Sequence, residues 1–191
     1  MIAKEELNIL WSLEQTAEKY EDRVAVSDVN QELTWKGLVK KAQVIGAELS
    51  KKVQPGNPIP VLLEKSSETL AVMLGIVYAG CFYVPVNPMN PAERLRKIME
   101  KLEPEVIISD EKGKEQLAAV GIGLEEKVIG PETLLPTTGT DLSEEQRSKL
   151  EQIQGQWKET DALYGIFTSG STGTPKAIVV SHGAASRFIR H

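Results

Sequence analysis

Residues 168–176 read Thr168-Ser169-Gly170-Ser171-Thr172-Gly173-Thr174-Pro175-Lys176. This polar stretch is flanked by two apolar runs, Leu163–Phe167 before it and Ala177–Val180 after it. Short apolar runs that are bounded by turn-forming residues are typical of β-strands. The sequence therefore predicts a strand on each side of the polar stretch and a loop between them.

The composition of this loop is suited to binding phosphate groups. Its glycines permit positive φ angles and let backbone N–H groups come close to a ligand. Successive N–H groups in such turns form an anion-binding concavity, to which hydroxyl groups and an ammonium group add further donors. Pro175 stiffens the exit from the loop. We therefore predict that residues 168–176 wrap around phosphates.

The loop is not a Walker A motif, which requires G-x-x-x-x-G-K-[ST] followed by a helix. Counted from Gly170, Pro175 takes the place of the second glycine, and Ala177 stands where a Mg²⁺-binding hydroxyl would be needed. The alternative is a solvated loop, rich in Ser, Thr and Gly, that binds nothing. The spacing of proline and lysine between two predicted strands favours phosphate binding.

The stretch T-S-G-S-T-G-T-P-K-A at 168–177 resembles the phosphate-loop signature of the adenylate-forming enzymes. That family includes nonribosomal-peptide adenylation domains, acyl-CoA synthetases and luciferases. A second segment, Y-A-G-C-F-Y-V-P-V-N-P at 78–88 followed by P-A-E-R-L at 91–95, is similar to the family's K-A-G-x-x-Y-V-P-L-D-P…P-x-E-R-L. A weaker match joins D-R-V-A-V at 22–26 to L-T-W at 33–35. The resemblance covers almost the whole chain.

The resemblance implies an α/β fold, a layered sandwich of mostly parallel sheet and helices. The pattern of the chain agrees, because alternating strands and helices predict parallel βαβ units. We expect residues 1–191 to be the incomplete N-terminal part of an AMP-binding (adenylation) domain, within the large domain of an adenylate-forming enzyme. The C-terminal remainder and the small lid domain would then lie outside this chain.

The resemblance also implies a reaction. A carboxylic acid, here expected to be an amino acid, reacts with ATP in the presence of Mg²⁺ to give an acyl-adenylate and pyrophosphate. The acyl group then passes to a thiol, on a carrier-protein phosphopantetheine arm or on coenzyme A. The residues expected to contact the nucleotide are Thr168, Ser169, Gly170, Ser171, Thr172, Gly173, Thr174, Pro175 and Lys176. We expect neither a catalytic residue nor a metal ligand within this chain, which alone should be inactive.

Three alternatives for the function differ in substrate or in kind. The form of the two main motifs favours an amino-acid-activating domain, of the peptide-synthetase or D-alanine–carrier-protein ligase kind. An acyl-CoA synthetase fragment is the second alternative. The third is a non-catalytic half-domain that keeps the fold and acts as a binding module or split subunit.

Composition limits the other partners. The net charge of −5 argues against nucleic acid or an anionic membrane surface as the main partner. No apolar run is long enough to span a membrane, and the N-terminus lacks the pattern of a signal peptide, so we expect a cytoplasmic protein. One cysteine and two histidines exclude an internal disulfide and a cysteine- or histidine-rich metal cluster.

Local patterns predict the elements around the motifs. Helices are expected over residues 5–19, from an N-cap at Thr34 to Leu49, over Glu68–Ala79, and from about Pro91. Strands are expected at Ile59–Leu63, 81–86 and Val106–Ser109. We interpret residues 130–160 as a solvated connection, with a short helix around 144–152 as the alternative.

Other residues that could suggest a site are interpreted as structural. Cys81 lies in an apolar run and is expected to be a small buried side chain. His182 is expected at the start of a helix that follows Ser181, in a capping or packing role. Core packing is expected of Tyr83 and Pro85, and local pairing or capping of Glu93 and Arg94.

Overall fold

The computed structural model describes residues 5–135, 141–168 and 175–189. Its helices are α1 (Ile9–Lys19), α2 (Trp35–Leu49), α3 (Ser67–Tyr78), α4 (Ala92–Leu102), α5 (Glu111–Val120), α6 (Glu144–Gly155) and α7 (His182–Ile189). Its strands are β1 (Val24–Ser27), β2 (Glu32–Thr34), β3 (Pro58–Leu62), β4 (Phe82–Pro85), β5 (Ile107–Ser109), β6 (Val128–Ile129), β7 (Ala162–Thr168) and β8 (Lys176–Ser181). None of the helices in these ranges has the length and apolar character needed to cross a membrane.

A six-stranded sheet with the order β6-β5-β3-β4-β7-β8 forms the centre of the molecule. All neighbouring strands in it are parallel except β7 and β8, which form an antiparallel hairpin. β1 and β2 form a separate antiparallel pair. Because the parallel strands all end at the same edge of the sheet, the loops that follow β3, β4, β5 and β7 meet there.

Helices cover both faces of this sheet. On one face α2, α3 and α6 contact one another, and on the other face α4 contacts α5. Side chains alternate between these two layers along each strand, as the pleat of a sheet requires. Ile59 and Val61 of β3 join the core under α3, whereas Leu62 joins the core under α4, together with Leu95 and Ile98. The architecture is the layered α/β sandwich that the sequence predicts.

Local signals located most helices correctly. Thr34 caps α2, its side chain accepting a hydrogen bond from the N–H of Gly37 at 3.1 Å. Helix α3, predicted over Glu68–Ala79, is largely apolar and mostly buried. The interpretation of residues 130–160 as a solvated connection was wrong in part. Residues 144–155 form helix α6, which has a capping box at Ser143 and buries Leu150 against the core.

Two glycines allow α2 and α3 to pack closely. A Cβ atom at Gly75 of α3 would lie 2.7 Å from the Ile45 Cβ atom, and one at Gly46 of α2 would lie 2.9 Å from the Gly75 carbonyl oxygen. Ile45 is fully buried, so it has no free space into which it could move. Glycine is therefore required at this helix contact for steric reasons.

Replacing Gly75 with alanine should lower the free energy of unfolding by about 1–3 kcal/mol, because overpacking forces side chains and backbone apart. The matched control is Gly155→Ala at the end of α6, where an added Cβ meets nothing within 4 Å. We expect that control to leave stability unchanged or to raise it by up to about 1 kcal/mol. Urea unfolding of both variants measures the difference, and equal stabilities would contradict the close packing.

Candidate functional site

The β7–β8 hairpin presents the predicted phosphate loop at the carboxyl edge of the parallel sheet. Thr168, the last residue of β7, is the Cα partner of Lys176, the first residue of β8. Their pairing holds the two ends of the loop side by side. In open α/β sheets, ligands bind in the crevice outside the carboxyl ends of the strands, at the point where the strand order reverses. That reversal lies at β3 and β4, next to β7.

The structure describes only the ends of the predicted loop. Thr168 and Lys176 are exposed, and Pro175 is buried. The other predicted site residues, which are Ser169, Gly170, Ser171, Thr172, Gly173 and Thr174, lie outside the described residues. The two flanking strands occur where the sequence predicted them, so the loop connects a hairpin.

The Lys176 ammonium group carries an uncompensated charge at this edge. Across the described ranges, it forms no ion pair with a carboxylate. Other lysines do form ion pairs; Lys40 of α2, for example, is 2.7 Å from Asp141. An exposed, unpaired ammonium beside an exposed threonine hydroxyl offers donors to an anionic ligand.

Arg94 extends the positive charge toward the base of the loop. Its guanidinium donates a hydrogen bond to the Phe167 carbonyl oxygen at 3.3 Å. The expectation of a local pairing role was therefore wrong for Arg94. It was correct for Glu93, which accepts hydrogen bonds from the Arg96 guanidinium at 3.0 and 2.8 Å.

The sequence around Arg94 contains a signal that could have shown that this residue has no partner within its own helix. In a helix, side chains pair at spacings of three and four residues. The four positions at those spacings from Arg94 hold no acid; they are Asn90, Pro91, Lys97 and Ile98. Arg96, in contrast, has Glu93 and Glu100 at these spacings and pairs with both. A helical arginine without a local acid is available to contact another segment of the fold, as Arg94 does at Phe167.

The second-motif residues Tyr83 and Pro85 have different environments. Tyr83 is half-buried and stacks on Tyr164 of the neighbouring strand β7, with ring centroids 5.8 Å apart. This contact confirms its packing role. Pro85, the last residue of β4, is exposed, so its assignment to the core was wrong. It lies where the strand ends and has no N–H to continue the ladder.

His182 lies at the opposite edge of the sheet, far along the hairpin from the loop. It begins α7, is 4% exposed, and packs edge-on against Trp157, with ring centroids 5.6 Å apart. Its Nδ1 atom accepts a hydrogen bond from the Ile9 N–H at 3.4 Å, which confirms a packing role. Burial lowers the pKa of its imidazole to about 4, although the Asp161 carboxylate acts in the other direction.

A cavity of about 430 Å³ lies beside His182, where the amino ends of β3, β4 and β7 meet. Cys81 lines it, and burial raises the pKa of that thiol to about 11. A thiol with so high a pKa is not nucleophilic at neutral pH. Cys81 is thus the inert buried side chain that the sequence predicted.

The described residues do not form a metal site by themselves. Within them, no three His, Cys, Asp or Glu side chains lie close enough together to hold a metal ion. Mg²⁺ prefers carboxylate and phosphate oxygens and keeps several waters. The donors at the loop ends, an ammonium and a hydroxyl, fit an anionic polyphosphate rather than a cation.

Strand β8 is the uncovered part of the sheet. Within the ranges that the structure describes, it pairs only with β7, and its Ile178 and Val179 side chains are 47% and 55% exposed although they point to opposite faces. Phe188 at the end of α7 is 84% exposed. An apolar strand with exposed side chains on both faces and an unpaired backbone along one side is typical of a surface that binds a partner.

Comparison with protein families matches residues 13–191 to the model described as AMP-binding enzyme. Among curated proteins, Bacitracin synthase 1 of Bacillus licheniformis is 33% identical over 174 residues. That match covers 88% of this chain and 3% of the synthase.

Solved structures share the fold. The nonribosomal peptide synthetase FmoA3, in its AMPPNP-bound form, has a TM-score of 0.76 at 24% identity, covering 96% of this chain and 18% of that chain. The N-terminal subdomain of NpsA from Klebsiella oxytoca has a TM-score of 0.75 at 22% identity, covering 94% and 43%. These likenesses confirm the α/β fold. The chain spans less than half the length of either solved protein.

Proposed function

This chain belongs to the AMP-binding enzyme family, and from that premise we propose that it is the ATP-binding part of an enzyme that activates a carboxylic acid as an acyl-adenylate. Pyrophosphate is the second product. We propose an amino acid as the substrate, because one of the similar curated proteins is a nonribosomal peptide synthetase by name. A D-alanine ligase or an acyl-CoA synthetase would use the same phosphate loop with a different acid.

The paired ends of the loop are the observation that supports this proposal. Thr168 and Lys176 lie opposite each other at the carboxyl edge of the sheet, both exposed. Strand pairing holds these two residues side by side, at the two ends of the loop. A site of this form can surround a chain of phosphates with N–H, hydroxyl and ammonium donors.

The chemistry requires stabilisation of a leaving group. An oxygen of the substrate carboxylate attacks the α-phosphorus of ATP, and the bond to the bridging oxygen of the β-phosphate breaks. Negative charge accumulates on the departing pyrophosphate. The Lys176 ammonium and the loop donors stabilise that charge by position alone, with no covalent step. Mg²⁺, when bound with the nucleotide, would neutralise part of the phosphate charge.

The later steps belong to a longer protein. We propose that residues 1–191 are the N-terminal part of an adenylation domain and that the acid pocket, the lid and the thiol acceptor require further residues. Carrier-protein phosphopantetheine or coenzyme A would accept the acyl group there. This chain alone is then expected to bind nucleotide without completing the reaction, in the cytoplasm.

Calorimetric titration of the 191-residue chain with Mg-ATP tests the proposal directly. We expect saturable binding that inorganic pyrophosphate competes away, since both ligands use the same phosphate donors. Binding that pyrophosphate does not affect would place the nucleotide elsewhere. Absence of binding would contradict the proposal that this chain holds ATP.

A non-catalytic half-domain is the second candidate function, favoured by the uncovered strand β8. Exposed Ile178 and Val179 suit a partner that adds a strand to the sheet. Sedimentation velocity and thermal unfolding, each with and without Mg-ATP, distinguish this function from the first. A monomer whose thermal stability does not change with Mg-ATP would support the binding module, whereas stabilisation by nucleotide would support the enzyme part.

A further inference from the structure

The guanidinium of Arg94 lies where β7 extends beyond its parallel neighbour β4 and, within the described residues, is paired only with β8. Strands β4 and β7 are in register at Tyr83 and Tyr164, so two residues further on Pro85 is level with Ile166. β4 ends at Pro85, whereas β7 continues to Thr168. The last residues of β7 therefore extend beyond their parallel neighbour.

Arg94 provides a donor to β7 in the stretch that extends beyond its parallel neighbour. Its guanidinium donates to the carbonyl oxygen of Phe167, the residue before Thr168, from a helix that is 73 positions away in sequence. The side chain is half-buried, which limits its motion and its contact with water. Hydrogen bonds from a charged donor are stronger than those between neutral groups.

The charge of Arg94 remains uncompensated at the same place. Within the described part of the chain it forms no ion pair with a carboxylate, whereas Arg96 and Lys97 of the same helix pair with Glu93. A guanidinium has five N–H donors, and the bond to Phe167 uses one of them. A positive charge that is retained without a counter-ion favours an anion nearby.

We propose that Arg94 is a positioning residue of the nucleotide site, which holds the carboxyl end of β7 in place and keeps a positive charge at the base of the loop. This inference rests on the proposed function for its second part, the effect on nucleotide binding. Its first part, the anchoring of β7, is a property of the fold and can be measured without any ligand.

Arg94→Gln removes both the charge and the planar set of guanidinium N–H donors. Arg94→Lys keeps the charge but loses that planar set of donors. The matched control is Arg96→Gln, two positions along the same helix, where the half-buried guanidinium pairs only with local acids. Amide hydrogen exchange of Thr168 measures anchoring, with Tyr164 in the middle of β7 as the internal reference. We expect Arg94→Gln to speed exchange at Thr168 about tenfold and the control to leave it unchanged.

Mg-ATP titration of the same variants measures the effect on the site. Arg94→Gln should weaken binding about tenfold, Arg94→Lys less, and Arg96→Gln less than about twofold. Unchanged exchange at Thr168 in both Arg94 variants would overturn the anchoring. Faster exchange with unchanged affinity would overturn the role in nucleotide binding. A wild-type chain that does not bind Mg-ATP would instead refute the proposed function, while the exchange measurement still decides the anchoring.

Discussion

Replacing Lys176 with alanine should reduce amino-acid-dependent ATP–pyrophosphate exchange about 10²–10³-fold. The reaction would be measured in an adenylation enzyme of full family length that carries this chain. Lys176 is exposed, forms no ion pair within the described residues, and begins β8 at the end of the loop. Its loss removes a positive charge from the position where we propose that pyrophosphate leaves, without removing a buried side chain.

The rate effect must be separated from an effect on folding. Lys149→Ala is the control, since Lys149 is an exposed lysine on α6, and it should change exchange less than about twofold. Lys176→Arg keeps the charge and should retain part of the activity. If exchange by Lys176→Ala matched that of the control, the role assigned to the loop lysine would be lost.

Stability should fall by about 1.4 kcal/mol for each pH unit between pH 6.5 and pH 4, because His182 is buried as the neutral imidazole. Its pKa is lowered from 6.5 to about 4 in the folded protein. Above pH 6.5 neither state takes up a proton, and this contribution to stability is fully present. As the pH falls, the unfolded chain binds a proton that the folded chain does not, so about 3 kcal/mol is lost by pH 4.

In the upper part of this pH range, the change in stability comes from His182 and not from the carboxylates, which titrate at lower pH. Asp28, whose pKa is lowered mainly by the N–H of Ser67, loses its contribution only when the pH falls below its ordinary value of 3.8. Urea unfolding between pH 7.5 and 5 therefore reports on the histidine. His182→Gln should abolish the slope, whereas Glu93→Gln should retain it. A wild-type chain with constant stability over this range would show that folding does not change the pKa of the imidazole.

Much of the architecture follows from local sequence. The N-cap at Thr34, the apolar face of α3 and the two apolar runs around the loop each act within a few residues, so their patterns are readable without tertiary information. The segment that forms helix α6 was interpreted as a solvated connection because it contains few apolar residues. Its buried Leu150 packs against α2 and α3, and those helices are distant in sequence.

The prediction of a phosphate loop and the alternation of strands and helices came from the sequence alone, because both depend on residues that are close along the chain. Only the tertiary structure decided the order of strands, which brings β7 beside β4, and the contact of Arg94 with Phe167. It also decided that Gly75 must remain glycine against Ile45. These features depend on distances between segments that are remote in sequence, and packing of the whole core sets those distances.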